Sequence, residues 1–487
     1  MHAPAYPYPR ALAPLGKAMK LLPFAAAAAL LAGCAHVPPS TTVTPLAASD
    51  LASTQTLASQ NGAWPAQSWW QGFNDPQLNG LMDEALAHAP DLLAAQARLD
   101  KARSFEDQVH AVMTPSLTLN GSVVETKQSQ NMGFPPAFKD FLPSGYLPEG
   151  RFTVDANYDI DLWGKSRAAL HGAASQSRAA ELDTVVVRQN IATAVVNAYV
   201  ELNRLYETRD ELALLKQGSD IKLELYQARA DHKLDARDVL LAAQDDQAQI
   251  AQRIAATDGA IRLQADAIAA LAGAGPDRGL TITRPQLAPA DVNSLPADVP
   301  LDLIGRRADI AAARLRVEAQ GQNIKYTRAD FYPNLKLNAF FGVQSLGLQY
   351  LGAPDSQIGQ IGPAISLPIF NGGRLRANYR GAEADYNAAV ATYDDTLTKA
   401  LQQVADAAGA TQSTAGELTA AQARRDGAEA GYELTKARFG KGLNTKMDVL
   451  TAHARVIAAD STLTDLKAQA YRDRVRFIAA LGGGFQS

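Results

Sequence analysis

From residue 375 onward, small and apolar side chains recur at steps of three and four: Leu375, Tyr379, Ala382, Tyr386, Ala389, Tyr393, Leu397, Ala400, Val404 and Ala408. This spacing is the seam of a coiled coil, with Ala, Gln, Thr and Asp on most other faces. The seam lies in a proline-free stretch, Leu375 to Arg438, of roughly 64 residues, which as a helix would extend about 96 Å. Few soluble domains can bury such a rod, so it needs neighbours along its whole length. A second proline-free stretch of roughly 64 residues runs from Ser166 to Arg229, about 209 residues earlier, and ends on Ala228-Arg229 as the other ends on Ala437-Arg438. A shorter helical stretch follows each rod, Asp238 to Leu271 and Asp448 to Leu481.

The pattern changes to period two between Arg151 and Leu162. Phe152, Val154, Ala156, Tyr158, Ile160 and Leu162 alternate with Thr153, Asp155, Asn157, Asp159 and Asp161. Such a strand fits a tilted membrane-barrel strand with lipid on one face and a wet lumen on the other, where Asp155, Asp159 and Asp161 would stand. A soluble sheet with one buried face satisfies the same alternation. Pro115 to Thr126, Leu335 to Val343 and Ile361 to Ile369 supply three further strand segments, and Phe331 to Leu337 matches Met113 to Leu119. The chain thus reads as two internal structural repeats, 69–275 and 301–487, separated by a linker at 276–300. Each repeat holds a helix (to about Met113, and Leu301 to Ala329), two strands, a long helix and a short helix.

The N-terminus tips the balance toward the membrane reading. Lys17 and Lys20 precede an apolar run, Leu21 to Leu31, and then Leu31-Ala32-Gly33-Cys34. Residues 1–33 read as an export signal, with Met19 an alternative start. Cys34 is the one cysteine of the chain and closes what resembles a bacterial lipobox, so the expected modification is diacylglycerol and palmitate at Cys34, with no disulfide and no other cofactor. Residues 34–68, rich in Pro, Ser, Thr and Ala up to Trp64, read as an extended lipidated tether. No run of 18 apolar residues follows the signal, which excludes a spanning helix but not a β-barrel. A formal net charge of -4 gives no reason to expect nucleic acid as partner.

The stretch WWQGFNDPQLNGLMDEALAHAPDLLAAQARLDKAR, from Trp69 to Arg103, resembles the opening of the TolC-like outer membrane factors, the NodT/OprM-type efflux lipoproteins. Arg306-Arg307-Ala308-Asp309-Ile310 resembles that family's RRPDI segment, with Ala308 in place of its proline. The resemblance covers nearly all of the mature chain. Four strands and four helical tracks per chain are too few to close a barrel or a wide cylinder; counting permits several oligomers, and the resemblance selects the homotrimer. The implied fold is mainly α with a membrane β-barrel: a trimeric, 12-stranded outer-membrane β-barrel continued by a long periplasmic α-helical barrel. With Ala35 after the cysteine, the resemblance to a lipobox implies outer-membrane sorting. The implied function is the exit duct of a tripartite efflux system. It would conduct small molecules passively from an inner-membrane pump of RND or related type, through a periplasmic adaptor (membrane fusion protein), to the exterior. The alternatives are a duct of a protein or peptide secretion system and, in another class, a trimeric coiled-coil surface or structural lipoprotein.

The candidate sites are the turns that end the rods. Arg438, Gly440, Gly442 and Leu443 break the second rod, while Arg229, Leu234 and Asp238 belong to a degenerate first copy with Asp231 and Lys233 where the glycines stand. The resemblance implies that these turns form the periplasmic tip and dock the adaptor, and that Asp448 rings a closed gate by threefold symmetry. Asp238 matches the acidic partner of a latch whose Tyr and Arg are here Phe439 and Asn444, leaving Arg438, Lys441 or Lys446 as replacement cations. His88, His110, His171, His232 and His453 show no metal-ligand spacing, and no acid, base and nucleophile group by motif, so neither a metal site nor an enzyme is expected.

Overall fold

The computed structural model describes residues 37–53, 55–57, 62–129, 141, 143–288, 296 and 299–486. The signal at 1–33, Met19 and Cys34 lie outside the described residues. The described residues include eight α-helices: α1 (Pro76–His88), α2 (Pro90–Ala111), α3 (Lys165–Asp231), α4 (Arg237–Leu271), α5 (Val299–Arg306), α6 (Ala308–Ala329), α7 (Arg374–Gly440) and α8 (Lys446–Ala480). Four strands accompany them: β1 (Ser116–Thr126), β2 (Leu147–Ile160), β3 (Asn334–Leu346) and β4 (Gln357–Ser366). A helix pair, a strand pair, a 67-residue helix and a 35-residue helix thus occur twice in the same order. Each 67-residue helix is about 100 Å long. No helix among the described residues is long and apolar enough to cross a membrane.

The chain divides into two compact units, each assembled from three stretches. The first takes residues up to Val43, 105–174 and 318–388, and holds the sheet. Its strands run in the order β1-β2-β3-β4, every pair antiparallel. Beside the sheet, Phe331, Leu375 and Tyr379 bury one another, with Val37, Ile324 and Tyr332 against them. Residues 37–43, read as a tether, are extended but not loose. Thr41 donates from its backbone N–H and its hydroxyl to the buried Glu383 carboxylate (3.1 and 3.2 Å), and the Asn387 amide meets Val43 N (2.9 Å) and Thr41 O (3.2 Å). Side chains one turn apart on α7 thus satisfy the backbone of a segment that has no strand partner.

The second unit takes 44–104, 175–317 and 389–487. Its core is built where Trp69, Trp70, Phe73, Leu78, Leu81 and Met82 pack against Val195, Val196 and Tyr199 of α3, Ile268 of α4, and Val475 and Ile478 of α8. Burying a side chain such as Leu78 or Met82 completely contributes about 1.5–3 kcal/mol. The seam of α7 continues here: Tyr393, Leu397, Ala400 and Val404 are buried. Asp75 starts α1 as its N-cap, accepting from Gln77 N (2.9 Å) and Leu78 N (3.3 Å), and Pro76 sits at the first helical position where its missing N–H costs nothing.

Four expectations change. The single helix to Met113 is two helices, because Ala89 precedes Pro90 and takes an extended ψ of 124°, as a residue before proline does. The single helix Leu301 to Ala329 is broken at Arg307, although residue 308 is alanine and not proline. There Arg307, 8% exposed as a residue, pairs through its guanidinium with Asp309 (2.6 and 3.0 Å) and donates to Gln403 (2.9 Å) and the Ala480 carbonyl (3.0 Å). The linker at 276–300 begins as a turn of 3₁₀ helix, Pro276–Thr281, and Gln286 N donates to Asp75 (2.7 Å), so its described part is tied to the core. Finally, β4 ends at Ser366 and leaves Ile369 outside the strand.

Candidate functional site: a two-faced sheet and two helix turns

Residues directly opposed across an antiparallel ladder point to the same face, so the register sorts every strand residue. One face carries Leu117 and Leu119 of β1; Phe152, Val154, Ala156, Tyr158 and Ile160 of β2; Leu335, Leu337, Ala339, Phe341 and Val343 of β3; and Ile361, Pro363 and Ile365 of β4. It is apolar through the middle of all four strands, with Glu125, Ser345 and Gln357 at its margins, and nothing among the described residues covers it: Leu119 and Ile361 are each 76% exposed, Phe341 66%. A continuous face of this kind is not compatible with water as its only neighbour. The opposite face carries Thr118, Asn120, Thr153, Asp155, Asn157, Asp159, Lys336, Asn338, Gln344 and Gln360, with Val124, Leu147, Phe340, Leu346, Ile358 and Ala364 as apolar members. Its polar groups pair with one another, both across strands and along β2. Asn120 Nδ2 donates to Asp155 at 2.7 Å, Thr153 Oγ1 donates to the same oxygen at 2.8 Å, and Lys336 stands 3.3 Å from Asp159. The Arg151 guanidinium covers the Phe340 ring at 5.3 Å. Asp155 and Asp159 therefore share the polar face. Asp161, expected beside them, lies one residue beyond β2; it accepts from Arg167 N (3.0 Å) and Arg167 Nε (3.2 Å) at the start of α3. The strand stops before it because its carboxylate satisfies the orphan donors of the helix.

The two long helices end in the same turn. Leu234 N donates to Arg229 O at 2.8 Å, Leu443 N to Arg438 O at 2.9 Å, and the preceding residue has positive φ, 59° at Lys233 and 75° at Gly442. Glycine takes that conformation freely; Lys233 does so against the crowding of its Cβ. The first turn is held by an ion pair: Arg229 Nε and Nη2 reach the two oxygens of Asp235 at 2.5 and 2.8 Å. The guanidinium keeps the Asp235 carboxyl below the usual carboxylate range. Asp238 takes no part in that pair. It is exposed in the first turn of α4, where negative charge suits a helix N-terminus.

The second turn has Asn444 where the first has Asp235, and is closed by other means. Gly440 is the last residue of α7, and the Lys446 ammonium stands over the Phe439 ring at 5.8 Å. Thr445 and Asp448 form a capping box. Thr445 Oγ1 accepts from Asp448 N (3.2 Å), and Asp448 Oδ2 accepts from Thr445 N (2.7 Å) and Thr445 Oγ1 (2.8 Å). Those two donors lower the Asp448 pKa. Sequence reasoning placed Lys233 where the second turn has a glycine but missed Asp235 and Thr445. The spacing Thr445-x-x-Asp448 was a signal for the last of these; for Asp235 there was none beyond proximity to Arg229.

Outer membrane efflux proteins match this chain over residues 81–274 and 299–483 by their family profile. The multidrug resistance outer membrane protein MdtP of Escherichia coli is 28% identical, the match covering 88% of each chain. The fusaric acid resistance protein FusA of Burkholderia cepacia is 30% identical, covering 76% of this chain and 70% of that one. Among solved structures, the outer membrane protein VceC of Vibrio cholerae superposes with a TM-score of 0.79 at 37% identity, covering 87% of this chain and all of that one.

Proposed function

Because this chain belongs to the outer membrane efflux protein family, we propose that it is the exit duct of a tripartite efflux system, passing small molecules from an inner-membrane pump through a periplasmic adaptor to the exterior. The observation that carries the reading is the four-stranded sheet, largely apolar and bare on one face and mainly polar on the other, with the outer edges of β1 and β4 unpaired among the described residues. Lipid suits the first face and a water-filled lumen the second. Three copies supply twelve strands, and closing them into a barrel removes every free edge. Asp155 and Asp159 then line the lumen. The 67-residue helices, with the 35-residue helices returning beside them, supply the walls of a helical barrel in the periplasm.

The turns at Arg229–Leu234 and Arg438–Leu443 form the periplasmic tip in this reading, with Asp448 repeated about the threefold axis as its gate and the adaptor docked on the helices around it. Cys34 carries the lipid anchor. The names of MdtP and FusA support small toxic organic compounds as cargo. Deleting the gene for this chain in its host is expected to raise intracellular accumulation of at least one toxic compound that the wild type exports. Unchanged accumulation of every pump-dependent compound contradicts the reading. Labelled palmitate is expected in the wild type and absent from Cys34→Ser.

A further inference from the structure

A cleft of about 330 Å³ opens in the second unit between the α3–α4 hairpin and the first turns of α8. Leu215 of α3, Ile250 of α4, and Met447 and Leu450 of α8 give it apolar walls. Its volume is at the lower end of the range of small-molecule sites. Two neighbours on α3 set its character. Ser219 is 7% exposed, and its Oγ has no hydrogen-bond partner among the described residues. A buried hydroxyl without a partner is costly; the Oγ is closed off where it stands, and rotation about χ1 toward the cleft that Ser219 lines would bring it to a partner there. Gly218 stands far inside a 67-residue helix, where glycine is less favourable than alanine, yet a Cβ built there would meet no atom within 4 Å. Nothing among the described residues packs into the space it leaves. At the rim Lys222, one turn on from Ser219, pairs with Asp246 at 2.6 Å, and Arg253 adds a further positive charge, so the charged lining is net positive.

We propose that this cleft binds a small apolar monocarboxylate, its aromatic or alkyl body against Leu215, Ile250, Met447 and Leu450 and its carboxylate accepting the Ser219 hydroxyl. The positive rim selects the anion over a neutral molecule of the same shape. An occupant touches both the α3–α4 hairpin and α8, the helix that begins at the Thr445–Asp448 box, and so opposes any movement that separates them. That consequence rests on the duct reading; the binding does not.

The test is a ¹⁹F NMR titration of 4-(trifluoromethyl)benzoate into the full-length protein in lipid nanodiscs, with empty nanodiscs as reference. Saturable binding at one site per chain is expected. It should be lost in Gly218→Leu, which fills the cleft, and weakened about tenfold in Ser219→Ala, the loss of one hydrogen bond to a charged acceptor. The neutral 4-(trifluoromethyl)benzyl alcohol should bind more weakly than the acid. Binding unchanged in Gly218→Leu overturns the site. Equal affinity in Ser219→Ala, a change too small to threaten folding, removes the hydroxyl from it, and equal affinity for the alcohol removes the acid. In a bilayer, saturating probe should reduce channel opening in the wild type and not in Gly218→Leu. Binding without that effect overturns the bridging role alone, whereas a protein that binds but never conducts contradicts the duct reading.

Discussion

The hydroxyl of Tyr199 donates to the buried carboxylate of Asp75 at 2.8 Å, joining the middle of α3 to the residue that starts α1. Burial raises the Tyr199 pKa, so the hydroxyl stays a donor across the physiological range. Asp75 also accepts from Gln77 N, Leu78 N and Gln286 N, four donors on one side chain. Asp75→Ala removes a helix cap and orphans buried donors, an expected loss of about 2–4 kcal/mol in urea unfolding. Tyr199→Phe, which removes one donor and leaves the cap, should cost about 1 kcal/mol. Equal losses would mean that Asp75 acts only through Tyr199.

Asp448 has two separable properties, a negative charge and a capping oxygen. Asparagine at this position keeps an acceptor for Thr445 and removes the charge; alanine removes both. If the carboxylates crowd a closed gate, Asp448→Asn and Asp448→Ala should both raise resting conductance and antibiotic leakage, since like charges no longer shape the entrance. A change in Asp448→Ala alone would assign the effect to the lost return bond of the capping box, with Thr445 left as the N-cap.

The Arg229–Asp235 pair gives the first turn a pH dependence of definite sign. The folded carboxyl has a lowered pKa, so the pair's contribution is complete above the unfolded value of about 3.9 and is lost as pH falls through the lower folded value. Amide exchange at 231–236, corrected for its intrinsic pH dependence, should show unchanged protection from pH 7 to about 5 and loss below about pH 4. Asp235→Asn should flatten that profile, with faster exchange than the wild type above about pH 4 and no difference once the wild-type carboxyl is protonated.

The sheet predicts opposite outcomes for neighbouring substitutions. Ile361→Lys places a charge on the bare apolar face and should cost about 2–4 kcal/mol of barrel stability if that face meets lipid near the midplane. Gln360→Lys, one residue away on the polar face, should assemble normally. The readout is the yield of heat-resistant oligomer on gels without boiling. Equal tolerance at the two positions would contradict a lipid-facing side.

The long helices were legible because nothing interrupts them. Leu397, Ala400 and Val404 fall on the seam that the spacing predicts, and all are buried. The alternation of β2 was legible for the same reason, a single face repeated without error from Phe152 to Ile160. In β4, Gly359, Gly362 and Pro363 interrupt the pattern, and the strand lies about four residues earlier than it reads. The break at Ala89 was written in Pro90. The break at Arg307 was not legible, because its partners Gln403 and Ala480 lie 96 and 173 residues away and no local residue forbids helix there. Among the site residues, the turn positions of Arg229 and Gly442 follow from local chemistry. That Asp235 takes the pairing role while Asp238 does not depends on how the chain leaves α3, which only the folded turn decides.

Planar-bilayer conductance of the purified full-length protein, with its native mass measured on the same preparation, tests the account most directly. A trimer that inserts and gives small, cation-favouring openings is the predicted result. A monomer, or a trimer that never conducts, would contradict the barrel built from this sheet and leave the long helices to a structural role.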